Sequence, residues 1–170
     1  MRAYRLHTSL LGILVPLVLG GCTHTAAPAA PPALIGAWRA KVQFSSGSFA
    51  TIQDLEFMYV FNSGGTMTES SNYDGVPPVP PAYGEWIATG AGAFEAKYTF
   101  FTTRPPADLK SLPTGGGWLP AGSGMLIEKI QLTAGGQSYD SSIHLELFDT
   151  AGKPVAGGGE ARAHATRAGF

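Results

Sequence analysis

Leu55-Glu56-Phe57-Met58-Tyr59-Val60-Phe61 runs into Asn62-Ser63-Gly64-Gly65, and Thr66 to Tyr73 leads on to Val76-Pro77-Pro78-Val79-Pro80-Pro81. Tyr83 to Thr89 then turns at Gly90-Ala91-Gly92 into Ala93 to Phe101. Apolar and polar residues alternate within each run, and each run ends at Gly, Asn or Pro. That is the grammar of strands joined by hairpins, so the stretch reads as a β-meander.

The same grammar extends in both directions. Eight strands are expected: Gly36–Phe44, Phe49–Phe61, Gly65–Tyr73, Tyr83–Thr89, Ala93–Thr102, Met125–Thr133, Ser138–Asp149 and Pro154–Arg167. In the last, Gly157-Gly158-Gly159 is a poor strand interior unless it marks a bulge or a barrel corner. Trp38, Ala40, Val42 and Phe44 share one face, opposed by Arg39, Lys41 and Gln43. Phe57, Tyr59 and Phe61 share another, as do Phe94, Ala96, Tyr98 and Phe100. Ile143, Leu145 and Leu147 oppose His144 and Glu146. One apolar and one polar face per strand suits a sheet solvated on one side. Closure removes the exposed edges of such a sheet. The expected fold is all-β, an eight-stranded antiparallel up-and-down barrel, with a two-sheet β-sandwich as the alternative. Eight strands enclose a space that side chains fill or that holds one small ligand.

In an up-and-down barrel, successive connections alternate between ends. Asn62–Gly65, Gly90–Gly92 and Ala134–Gln137 fall at one end and are tight. Ser45–Ser48, Asp74–Ala82, Thr103–Gly124 and Asp149–Lys153 fall at the other. One end is therefore expected to be closed by short turns and the other to be an open mouth with long loops.

The first 21 residues read as an address. Arg2 and Arg5 precede the apolar run Leu10 to Leu19. That run is too short for a bilayer span, which needs about twenty residues, and it has the flanks of a signal peptide. Leu19-Gly20-Gly21-Cys22 resembles a bacterial lipobox. The resemblance implies cleavage before Cys22, a diacylglycerol on its thiol and palmitate-type acylation; the alternative is an ordinary secretory signal with a chance cysteine. Cys22 is the only cysteine, so no internal disulfide is expected. Two or three acyl chains anchor stably where one does not. Thr23 follows Cys22 in place of the aspartate associated with inner-membrane retention. The expected location is the bacterial cell envelope, at the periplasmic face of the outer membrane. Residues 22–33, rich in Ala and Pro, read as a stiff tether of about 30 Å at 3.1 Å per residue. Residues 34–170 form the barrel domain. With Arg2 and Arg5 set aside, nine basic residues stand against twelve acidic ones. No basic run appears, which argues against a nucleic-acid partner.

Gly36-Ala37-Trp38, after the leader and on the first strand, resembles the Gly-x-Trp signature of lipocalins. The resemblance implies that Trp38 closes the barrel bottom with an arginine from the chain's end, Arg167 or Arg162, packed across it. Phe61-Asn62-Ser63-Gly64-Gly65-Thr66 followed by Gly84-Glu85-Trp86 resembles the turn-and-tryptophan pattern of bacterial lipocalin-like, or calycin-like, domains. The second and third lipocalin motifs and the C-terminal helix are not recognisable. This class of barrel has no single function.

Glu128 shares parity with Leu126, Ile130 and Leu132; if that face is interior a carboxylate enters the cavity, where burial raises its pKa unless an Arg or Tyr hydroxyls satisfy it, and if the period slips Glu128 faces solvent. Tyr59, Tyr98 and Tyr139 fall on apolar faces and need partners for their hydroxyls. Such a cavity orients a polar head on an apolar ligand; the alternative is a filled core in which these groups pair with one another. Trp118, between glycines and a proline in Thr103–Gly124, is a candidate lid over the mouth, or else pins its loop to the barrel flank. Val76–Pro81 reads as a rigid polyproline segment that prebuilds a rim or protects a strand edge. His144 and His164 lack metal-ligand spacing and read as surface residues, while His7 and His24 lie in the leader and tether. Asp54, Glu56 and Glu69 read as solvated. Gly122-Ser123-Gly124 lacks the strand-turn-helix context of a nucleophile elbow. No catalytic residue, metal or cofactor is expected. The leading expectation is a membrane-anchored carrier of a small apolar or amphipathic ligand. The alternatives are a filled barrel meeting an envelope protein through its rim, and an isomerase or cyclase built on Glu128 and a tyrosine.

Overall fold

The computed structural model describes residues 33–73, 80–108, 110 and 117–169. Cys22, the leader, nearly all of the tether, Val76–Val79 and most of the stretch between Ala107 and Gly117 lie outside the described residues. Eight strands follow one another: β1 (Gly36–Phe44), β2 (Leu55–Phe61), β3 (Thr66–Ser71), β4 (Ala82–Gly90), β5 (Ala93–Arg104), β6 (Leu119–Leu132), β7 (Ser138–Phe148) and β8 (Pro154–Arg167). Each pairs antiparallel with the next, and β8 pairs back onto β1, so the sheet closes as an up-and-down barrel. The sandwich alternative is excluded.

The alternating residues supply the interior. On β1, Trp38, Ala40, Val42 and Phe44 are buried; across the closing seam Ala165, Ala163 and Ala161 stand opposite Ala40, Val42 and Phe44. The small alanines of β8 leave the interior to large side chains from other strands. An aromatic ladder uses that space. Tyr59 stacks on Phe61 at 5.6 Å, Phe61 meets Trp86 edge-on at 6.1 Å, and Trp86 meets Phe94 at 5.7 Å. Rings in such arrangements each add about 1 kcal/mol beyond the area they bury.

The strand boundaries depart from expectation most at β2, β5 and β6, and β3 ends at Ser71, not Tyr73. β2 begins at Leu55, not Phe49; residues 49–51 turn instead, where Ala50 and Ile52 donate backbone bonds three residues back. β5 and β6 run on to Arg104 and back to Leu119, since Thr103 and Arg104 pair with Pro120 and Leu119 beyond a bulge. The long connection is therefore shorter than Thr103–Gly124. On the outer wall, Met58, Val60, Tyr83, Ile87 and Phe101 are exposed, so the solvent face of β2, β4 and β5 is less polar than alternation implies.

The two ends differ as expected. The turns after β2, β4 and β6 are tight, with Gly65, Gly92 and Gly136 at positive φ, the backbone that hairpin loops of this length require. The strand ends that lead out of β1, β3, β5 and β7 lie at the other end. There β8 carries a bulge: Leu145 pairs with Gly159 but Leu147 with Val155, so two extra residues sit in β8.

Candidate functional site: a buried carboxylate at the barrel mouth

The closed end is sealed by two residues. Trp38 is completely buried and its Nε1 donates to the Leu34 carbonyl at 2.8 Å. The Arg167 guanidinium lies 4.4 Å from the centroid of the Trp38 ring. Arg167 also donates to the carbonyls of Gly136 and Ile35 at 3.0 Å each, and to that of Ala33. A guanidinium stacked on indole gains cation–π attraction while its fork satisfies carbonyls left over at the barrel's end. Arg162, the other candidate, is exposed on the outer wall.

Above this floor lies a buried polar cluster. Glu128 is 0% exposed; its Oε2 accepts from the Tyr98 hydroxyl at 2.9 Å and its Oε1 from the Ser141 hydroxyl at 2.6 Å. The Tyr59 and Tyr98 hydroxyls stand 3.3 Å apart. Because Tyr98 gives its proton to Glu128, Tyr59 is the donor of that pair. Burial pushes the Glu128 pKa up, opposed by the Ser141 and Tyr98 hydroxyls that donate to it and by the Tyr59 hydroxyl beside them. Burial, reinforced by Glu128, also pushes the three tyrosines well above their usual range. Tyr139 is completely buried, with its ring 5.0 Å from that of Trp38, and its hydroxyl has no hydrogen-bond partner. Three of the four residues named from the sequence as cavity candidates thus meet in one cluster, packed against one another and not around open space.

The open space is nearer the mouth. A cavity of about 30 Å³ is bounded by Phe44, Phe49, Phe57, Tyr73 and Phe100. Leu55, Leu126 and Leu145 complete its apolar wall, and its polar groups come from Glu69, Ser71 and the hydroxyl of Tyr73. By the criterion of one probe sphere per water it has room for about two waters. Phe49 forms part of its cover, tilted on Phe44 at 5.5 Å and edge-on to Tyr73 at 5.6 Å. The bulge of β8 holds that cover in place. Ser48 donates its backbone N–H to the Gly157 carbonyl, Ser45 to that of Glu160, and the Ser46 hydroxyl accepts from the Glu160 N–H. A Cβ on Gly159 would come within 2.0 Å of the Ser46 carbonyl oxygen, so the loop after β1 lies this close only because residue 159 has no side chain.

Glu69 is the residue that the sequence reading placed in solvent. It is 6% exposed, and its Oε1 has no hydrogen-bond partner. It stands opposite Tyr59 on β2 and Ala82 on β4. Burial, and then the neighbouring Glu128, raise its pKa from 4.5 to about 8. The signal for its burial was parity: Met67 and Glu69 share a face of β3, and Met67 is a core residue.

Other candidates fall outside this site. Trp118 is half-buried just before β6 and is not part of the cavity wall. Asp54 and Glu56 are not buried, and Glu56 is paired with Arg39. His164 pairs with Asp140 at 2.8 Å and His144 with Glu160, all exposed. Glu160 holds the His144 pKa above its usual value. These pairs are solvated, and exposed pairs of this kind add little stability. Among the described residues no group of three or more His, Cys, Asp or Glu is placed to hold a metal.

No family model, curated protein or solved structure matches this chain.

Proposed function

We propose that this chain is a lipid-anchored, lipocalin-like protein of the bacterial envelope that binds the end of a small amphipathic ligand in its mouth. One observation carries the reading: an unpartnered carboxylate oxygen, buried in a small cavity whose wall is otherwise mostly apolar. A buried polar atom without a partner costs about 1–3 kcal/mol, and a ligand supplying a partner recovers that cost. The filled closed half supports binding of a head group near the mouth, not of a long chain deep in the barrel. The leader and Cys22 support the membrane anchor, and the start of β1 and the finish of β8, at the same end as the tight turns, support a mouth that faces away from the membrane.

Native mass spectrometry of the full-length protein, gently extracted from its host membrane, tests this. The expected result is a bound small molecule that leaves on denaturation and is absent from Glu69→Gln. A ligand-free mass, with no uptake from a mixed lipid extract, would instead favour a filled barrel that meets a protein partner through its rim.

A further inference from the structure

Resting on the mouth-binding reading above, we propose that the head group the cavity takes is an alkylated ammonium cation, held between the aromatic wall and the Glu69 carboxylate.

The cavity carries five aromatic side chains, three leucines and one unpaired carboxylate oxygen, with the hydroxyls of Ser71 and Tyr73 as the other polar side-chain groups. Aromatic rings attract cations through their quadrupole, most strongly where water is excluded, and rings grouped in cages recognise alkylated ammonium. The donor and acceptor inventory narrows the class. A primary ammonium is compact and strongly hydrated and brings three N–H donors that must all be re-satisfied, while the wall's side-chain acceptors are limited to Glu69, Ser71 and the Tyr73 hydroxyl. An ammonium whose nitrogen is covered by methyl groups needs no hydrogen bonds and takes its stabilisation from ring faces and one counter-charge. An anionic head would meet the Glu69 carboxylate with Glu128 behind it and no buried cation nearby. A neutral apolar head would leave Glu69 Oε1 as orphaned as it is now. Entry requires Phe49 and Tyr73, both half-buried, to swing outward, since the closed cavity is smaller than a trimethylammonium group.

The counter-charge is conditional. Glu69 faces Tyr59 from β2, Tyr98 from β5 and Glu128 from β6, with no cationic side chain among them. Without ligand its carboxyl keeps its proton to about pH 8. A permanent cation favours the ionised form, so binding below that pH expels one proton.

Calorimetric titration of the full-length protein with choline, and with its uncharged isostere 3,3-dimethylbutan-1-ol, tests the proposal. At pH 8.5 choline is expected to bind at least about tenfold tighter than the alcohol, as one desolvated cation–π and ion-pair site allows. Between pH 8 and pH 6 choline affinity is expected to fall about tenfold per pH unit, with release of one proton per choline bound. Glu69→Gln abolishes both the preference and the proton release. Phe49→Leu keeps the carboxyl and the proton release but weakens choline several-fold more than the alcohol, so the proposal stays testable if Glu69→Gln fails to fold. Choline-headgroup phospholipid vesicles used as competitor separate the two sources: displacement of choline identifies a lipid head, and no displacement a free cation. Equal affinity for choline and the alcohol overturns the cation while leaving mouth binding intact. If choline, the alcohol and 3,3-dimethylbutanoate all fail to bind, the mouth-binding reading falls with it.

Discussion

At the scale of the residue, the two interior carboxyls differ in what surrounds them. Glu128 is satisfied by two hydroxyls, and Glu69 leaves one oxygen unpaired. The Glu69 carboxyl keeps its proton to about pH 8 in the fold, whereas an ordinary glutamate releases it near 4.5. Its pKa is raised, so its contribution to stability is complete below about pH 4.5 and is lost as pH rises to about 8. Thermal melts across that window should show wild-type stability declining with pH by at most about 1.4 kcal/mol per unit from this group. Glu69→Gln should flatten the profile, with the remaining slope left to Glu128, whose shift has the same sign. A slope unchanged in the variant would show that Glu69 does not titrate there. Glu128→Leu strands the Tyr98 and Ser141 hydroxyls and is expected to cost about 2–4 kcal/mol in urea unfolding, while Glu128→Gln, which keeps an acceptor, costs less. Glu128 was legible from sequence because its strand alternates without a break. Glu69 was not, because β3 is short and Met67 is its one apolar member, the rest being polar on both faces. A single apolar residue is a thin marker of parity, and pairing with Tyr59 on β2 shows which side is inside.

At the scale of the element, the bulge in β8 is the device that shapes the mouth. Gly157-Gly158-Gly159 is costly as ordinary strand, yet these glycines let the loop after β1 dock and hold Phe49 over the cavity. Gly159→Ala is expected to push that loop off. Hydrogen exchange should then accelerate at Ser45 and Ser48, whose N–H groups bond to β8, while Trp38 to Phe44 keep their protection. Uniform acceleration around the barrel would assign the glycine to global stability instead. Gly124 works similarly inside the wall: the Phe100 ring lies against its backbone, where a Cβ would come within 2.3 Å. At the closed end Trp38→Ala should cost about 3–5 kcal/mol, the usual range for a buried tryptophan. A bulge at the glycine run was legible from its composition; its target, the loop after β1, was not, because residues 45–48 and 157–160 meet only across the closing seam.

At the scale of the whole molecule, closure brings the ends of the domain together. β1 and β8 are neighbours, and the Ala168 N–H bonds to the Ala37 carbonyl at 3.0 Å. A barrel domain permuted by joining its ends through a short linker, with new termini at Ala91, should keep its circular dichroism spectrum and cooperative melt, because the cut falls in a tight turn and leaves every strand pair in place. Loss of cooperativity would show that the hairpin of β4 and β5 must form early. The proposed anchor is testable at the same scale. Cys22→Ser should leave the chain unlabelled by radioactive palmitate and shift it from the membrane to the soluble envelope fraction; retained labelling would place the lipid elsewhere.

Most of the architecture was determined by the chain's own local pattern. Period-two alternation set which side chains are interior, and glycine and asparagine set where the strands turn, because both effects act between residues near in sequence. The number of strands and the sorting of short and long connections by end followed from these. Closure in place of a sandwich, the start of β2 at Leu55, the extension of β5 and β6, and the burial of Glu69 were decided only by the tertiary structure. Each depends on pairing between strands, and a pairing register is a relation between distant residues that alternation within one strand does not contain.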